Sequence, residues 1–181
     1  MRRYRIIEDG IIPHFVTWTL TEWLPLFISD KYCEILINSI DYCRREKGLL
    51  LHAYVIMPTH AHYILSAKSG YILSDILRDA RKFTAKEIVR QLQQDGHGLY
   101  EWVFRDAAQK AGRPQGSYKV WSDGTHPVAL VSEQMAIQKL EYLHNNPIRK
   151  GLVELPEHWR YSSAAFYLDE KGPVQIDPLE W

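Results

Sequence analysis

Met57-Pro58-Thr59-His60-Ala61-His62-Tyr63-Ile64-Leu65 joins two apolar runs and sets the reading of the chain around it. Leu49 to Met57 and His60 to Ala67 both have strand composition, and little more than Pro58-Thr59 separates them. A tight antiparallel hairpin is the economical reading. Side chains alternate faces along a strand, so His60 and His62 point the same way. Two imidazoles a few ångströms apart on one face supply half of a divalent-metal site. Alone, a His-x-His strand is more often structural than metal-binding, so a second feature has to decide it.

On the N-terminal side, His14 to Leu20 is β-branched and aromatic and reads as a first strand. Asp30, with Ser29 competing, caps a first helix whose Tyr32, Ile35, Leu36, Ser39, Ile40 and Cys43 fall at helical spacing before Gly48. On the C-terminal side, Ser74 to Gln94 reads as a second helix, with Ile76, Leu77, Ala80, Phe83, Ile88 and Leu92 as its apolar positions. Its outer side carries Arg78, Arg81, Lys82, Lys86 and Arg90. Asp95 to Lys119, interrupted by Gly96, Gly98, Gly112, Pro114 and Gly116, is expected to be a loop or insertion. Val120-Trp121 and Pro127 to Val131 offer a fourth strand, and Ser132 caps a third helix running to about Asn145, where Pro147 stops it.

The order β-α-β-β-α-β is that of an α+β, ferredoxin-like split βαβ fold: a four-stranded antiparallel sheet with helices on one face, plus a C-terminal helix and tail. The other face is left for a site. The chain is expected to be one domain, 1–181, with its core at about 14–153 and an irregular tail at 154–181.

Composition narrows the function. Hydrophobic residues make up 46% and charged residues 24%, enough for a real core, and the 22 basic and 22 acidic residues cancel. A nucleic-acid surface would therefore need local clustering of charge. Cys33 and Cys43 lie ten positions apart on one helix. That spacing corresponds to roughly 15 Å, too far for a mutual disulfide, and suggests reduced thiols in a cytoplasmic protein. No apolar run is long enough to span a membrane, and no apolar stretch follows Met1-Arg2-Arg3-Tyr4-Arg5 as in a signal peptide.

The deciding feature lies 80 residues beyond His62. With Leu140 at the centre of the buried stripe of the third helix, Ala136, Ile137, Leu143 and His144 lie within about 60° of it. Tyr142 falls at roughly 200°, on the polar face. A tyrosine there is a surface, interface or reactive residue rather than core.

Met57-Pro58-Thr59-His60-Ala61-His62, followed by Tyr142-Leu143-His144-Asn145-Asn146-Pro147-Ile148-Arg149-Lys150-Gly151-Leu152-Val153, resembles the single-tyrosine HUH transposases, and most closely their REP-associated branch. The similarity extends from about His14 to Ser163. It departs at Thr59, where the family usually has Asn, and at Ala61, where a bulkier apolar residue is common. The resemblance implies a metal-dependent single-stranded DNA endonuclease and strand transferase acting beside an imperfect, repetitive palindromic hairpin. It implies that His60 and His62 hold Mg²⁺ or Mn²⁺, with Asn146 one turn past the tyrosine completing the shell and Gln138 as a spare. It implies that Tyr142 is the nucleophile, forming a 5′-phosphotyrosine and releasing a 3′-hydroxyl. Arg78, Arg81, Lys82, Lys86 and Arg149 are candidate DNA contacts, and the protein is expected to be a monomer or homodimer. The alternative is a domesticated, non-catalytic module that binds hairpin or single-stranded DNA.

Overall fold

The hairpin forms where its composition places it. In the computed structural model, which describes residues 6–124, 127–169 and 172–179, β2 spans Leu49–Met57 and β3 His60–Ala67. They pair antiparallel from Met57↔His60 to Leu49↔Ala67, with a bulge at His52 between Leu51 and Ala53. β1 (His14–Thr19) runs antiparallel to the other side of β3, and the two-residue β4 (Val128–Ala129) closes the far edge, giving the order β2-β3-β1-β4. This is the ferredoxin-like order expected of the chain, with helices packed on an antiparallel sheet.

The two sheet faces have separate cores. One face presents Val16, Trp18, Leu20, Tyr54, Ile56, Ala61, Tyr63 and Leu65 to α1 (Asp30–Glu46) and α2 (Leu73–Asp95), in one cluster with Leu36, Ile40, Ile76 and Ile88. Ala61 is fully buried opposite Trp18 in the ladder, so the bulk its small side chain lacks is supplied by the indole. The other face carries Phe15, Ala53, Val55, Met57 and Ile64, and it is not bare. Leu130, Ala136 and Leu143 join that cluster, the last two from α4 (Glu133–His144). α4 therefore lies across the same surface as the histidine pair.

Several expectations are corrected. Asp95 to Lys119 is not a loop: α3 occupies Gly98–Lys110, buries Phe104 and Ala108, and is braced by the Glu101–Arg105 and Asp106–Lys110 pairs at i,i+4. Its flanking glycines lie just outside or at the end of a continuous helical run, so they punctuate the helix rather than dissolve it. Phe83 is exposed at 53%, and Val89 takes the buried place on α2 instead. Pro147 does not end structure; it sits in the first turn of a short α5 (Asn146–Arg149), where its missing N–H is no loss.

The tail is less irregular than its composition suggests, because it covers the exposed edge of β2. Ile56 N–H donates to Tyr161 O, Ser163 N–H to Tyr54 O and Asp177 N–H to Leu51 O. Asp177 in turn accepts from Arg44 Nε (2.8 Å), Arg44 Nη2 (2.9 Å) and Leu51 N–H (2.8 Å). An unpaired sheet edge is an aggregation hazard, and this segment removes it. Cys33 and Cys43 are both free and buried, and burial raises the thiols to about 12 and about 11. Met1 to Arg5 and Trp181 lie outside the described residues.

Candidate active site

β3 delivers His60 and His62 to the face shared with α4, with ring centroids 4.7 Å apart. Across the ladders they face Met57 and Val55 on β2, and Thr19 and Thr17 on β1. The nitrogen each ring presents is set by a threonine. His62 Nδ1 is hydrogen-bonded to Thr17 Oγ1 at 2.7 Å, and His60 Nδ1 to Thr59 Oγ1 at 2.9 Å. With the ring proton on Nδ1 donating to the hydroxyl, each Nε2 keeps a lone pair for a ligand. Thr59 thus acts on the next residue's imidazole.

Burial keeps both rings neutral. It pushes His60 down to about 4, helped by the charge of Lys150. It pushes His62 down to about 3, helped by His60 and then Lys139. Neutral imidazole is the metal-binding form, so no proton has to be displaced at pH 7.

α4 brings Tyr142 to this pair. Ser132 caps the helix by accepting from Met135 N–H at 3.3 Å, and Ala136 and Leu143 anchor it. The buried stripe lies between Ala136 and Leu143, roughly 50° from Leu140, with Ile137 left exposed at 49%. Tyr142 consequently flanks the stripe instead of opposing it, and that rotation turns it inward. Its ring stands edge-on to His62 at 5.6 Å and to Phe15 at 6.0 Å, yet it stays 37% exposed. Lys139 Nζ lies 5.5 Å from the Tyr142 ring centre and Arg149 Cζ 5.3 Å. A cavity of about 320 Å³ opens beside the phenol, lined by Gln138, Lys139, Glu141, Asn145 and Arg149. An exposed phenol between two cations, edge-on to a neutral imidazole, suits attack on an anionic substrate.

The remaining predicted residues divide. Arg149 joins the site. Asn146 is 5% exposed at the start of α5, which packs against β2, and its amide nitrogen is buried without a partner. Asn145, not Asn146, lines the cavity beside Tyr142, and so does Gln138. Arg78, Arg81, Lys82 and Lys86 lie behind the sheet, along a groove of about 1260 Å³ that also touches Val16 and Trp121. Arg78 is paired with Asp75 at 2.7 Å and Asp79 at 3.1 Å, and Arg81 donates to Ser122 O at 2.9 Å. The structure does not bring these four to the histidines. Thr17, Phe15 and Lys139 were missed. Only strand register reveals the first two, whereas Lys139, one turn before Tyr142, was there to be read.

His14, His52 and His144 have structural work instead. His14 Nε2 accepts from Ile7 N–H, His52 bonds Ser66 Oγ, and His144 bonds Ser163 Oγ.

Comparison with solved structures bears on the fold. A solved structure of a REP-associated tyrosine transposase bound to a REP hairpin superposes with a TM-score of 0.66, covering 100% of this chain and 95% of that one, at 17% identity. The chain has the fold of a REP-associated tyrosine transposase. A second solved structure, described as a transposase from Deinococcus radiodurans R1, covers 74% of this chain and 89% of its own at 19% identity. Its TM-score of 0.45 is too low to bear on the fold. No protein-family model and no curated protein matches the chain. Among the described residues no helix is long and apolar enough to cross a membrane.

The residues fit a divalent ion in part. No group of three His, Cys, Asp or Glu side chains forms a metal cluster among the described residues. Two neutral imidazoles would hold an ion whose other donors are amide, phosphate or water oxygens. Such a mixed shell suits Mn²⁺ better than Mg²⁺.

Proposed function

We propose that the protein cuts and rejoins single-stranded DNA, with Tyr142 as the nucleophile. The observation that carries this reading is the phenol of Tyr142 held edge-on to His62 between Lys139 and Arg149. A structural tyrosine would be buried or bonded; this one is open to a cavity and to cations.

His60 and His62 would hold the divalent ion, and the buried amide of Asn146 is the third candidate. Bound there, Mg²⁺ or Mn²⁺ supplies Lewis-acid polarisation of a non-bridging phosphate oxygen. The chain's own residues do the rest. Lys139 and Arg149 attract the phosphodiester and offset the negative charge that builds on it in the transition state. Tyr142 Oη bonds to phosphorus as the bond to the 3′-oxygen breaks, and the departing oxygen takes up a proton. One phosphate ester replaces another, so resealing by the reverse attack needs no nucleotide triphosphate. The released strand ends in a 3′-hydroxyl and the protein carries a 5′-phosphotyrosine.

A hairpin flanking the cut strand is the natural substrate class, since the similar solved transposase is bound to a REP hairpin. The cations of α2 would then hold backbone phosphates remote from the cut. The test is incubation of hairpin-flanked single strands with Mn²⁺, followed by a denaturing gel. A covalent protein–DNA band that disappears with EDTA, with His60→Ala and with Tyr142→Phe is expected. Salt-sensitive binding indifferent to EDTA and to His60→Ala, with no covalent band, would instead establish a non-catalytic binding module.

A further inference from the structure

Trp23 is the exposed aromatic ring that contacts the histidine pair from the end away from Tyr142. It is 63% exposed, and its ring lies 5.8 Å from that of His60 in an edge-to-face arrangement. Tyr142 contacts His62 instead, so the tryptophan and the tyrosine flank the pair from opposite ends. The backbone under Trp23 is unusual. Glu22 and Trp23 have φ values of 55° and 53°, two consecutive non-glycine residues in the left-handed region. Such conformations persist where the surroundings over-determine them, and they concentrate at ligand clamps. Here the anchors are backbone hydrogen bonds: Leu20 N–H donates to Thr59 O in the hairpin turn, Thr21 N–H to Val120 O, and Trp23 N–H to Leu20 O. Thr21 is buried while Glu22 and Trp23 project, so the turn is fixed at its base and presents an indole to solvent.

We propose that Trp23 is a stacking platform for an unpaired base of the DNA strand. A single exposed ring is ordinary on a protein surface; what sets Trp23 apart is the pinned left-handed turn that holds its indole against His60. Every nucleobase has a face that stacks on indole, whatever its sequence. The inference rests on the single-strand cleavage reading for its polarity. In-line displacement puts the attacking and leaving oxygens on opposite sides of phosphorus. With Tyr142 at the His62 end, the leaving 3′-oxygen points toward the His60 end. The base on Trp23 therefore belongs to the nucleotide on the 5′ side of the cut, the one that departs with the 3′-hydroxyl. Stacking holds that hydroxyl near the site for rejoining.

The test uses mixed-sequence single strands carrying 5-iodouracil, bound to the full-length protein in EDTA, irradiated, and mapped by peptide mass spectrometry. The crosslink is expected on Trp23. Trp23→Ala should weaken binding roughly 5- to 100-fold, and Trp23→Phe should restore most of it. Once the cut position is known from the tyrosine-linked product, iodouracil just 5′ of the cut should crosslink best. A Tyr142–DNA band without any Trp23 crosslink, or Trp23→Ala binding as tightly as wild type, overturns the platform and leaves the cleavage reading standing. A Trp23 crosslink with no Tyr142–DNA band does the reverse: the base site holds and the nucleophile falls. Preferential crosslinking on the 3′ side overturns the polarity.

Discussion

Thr17 and Thr59 show how much of the site depends on single hydroxyls. Each is bonded to an Nδ1, which fixes the ring's orientation and, with the ring proton on Nδ1, leaves the Nε2 lone pair open to a ligand. Replacing Thr17 with valine keeps the shape and removes the bond. Mn²⁺ affinity by isothermal titration should fall about 10- to 100-fold; an unchanged affinity would show that His62 needs no tether. Thr17 was not legible beforehand, because it lies 45 positions from His62 and only the β1–β3 register makes them neighbours. The histidines were legible, since two-residue spacing in a strand has a single geometric meaning. Tyr142 was half legible. Its exclusion from the core followed from helical periodicity, but its inward turn depends on which flank of α4 the sheet buries, and that is decided by Ala136 and Leu143 together.

At the scale of elements, α4 is the device that joins histidines to tyrosine. Leu143 is fully buried against the sheet one residue from Tyr142. Leu143→Ala should cost about 2–5 kcal/mol in urea unfolding. It should also slow formation of the tyrosine–DNA product at temperatures where the variant remains folded; a normal rate would mean that α4 is placed by other contacts. On α2, Lys82 and Lys86 are exposed on the groove behind the sheet. If they touch backbone phosphates, replacing each with alanine lowers the slope of log affinity against log salt by about one. A slope that does not move makes them a solvated face. The hairpin was readable to the residue because apolar runs and a proline turn are local signals. α3 was missed because glycines at its ends outweighed the i,i+4 charge pairs inside it.

For the whole molecule, burial of neutral histidines ties folding to pH. Burial pushes His144 down to about 4 and lowers His52 and His14 below the ordinary value. The unfolded chain takes up protons near pH ~6.5, whereas the native state resists them. Stability is therefore complete above about pH 6.5 and is lost as pH falls toward about 4. The urea midpoint should drop across that window, and a flat profile would contradict neutral burial. The tail adds a second global link, for Asp177 ties Arg44 on α1 to the edge of β2. Asp177→Ala should cost on the order of 1.5–3 kcal/mol and expose that edge to self-association, visible by light scattering. No composition rule foretells this latch, which joins residues 133 positions apart.

The most direct measurement follows the two ends of a cut strand. A hairpin-flanked single strand is labelled at its 5′ end in one reaction and at its 3′ end in another, then incubated with protein and Mn²⁺ and denatured. The 3′ label should travel with the protein, linked through Tyr142, while the 5′ label leaves on a fragment that a polymerase can extend. A 5′ label on the protein would contradict the 5′-phosphotyrosine link, and a covalent product that survives Tyr142→Phe would contradict attack by Tyr142.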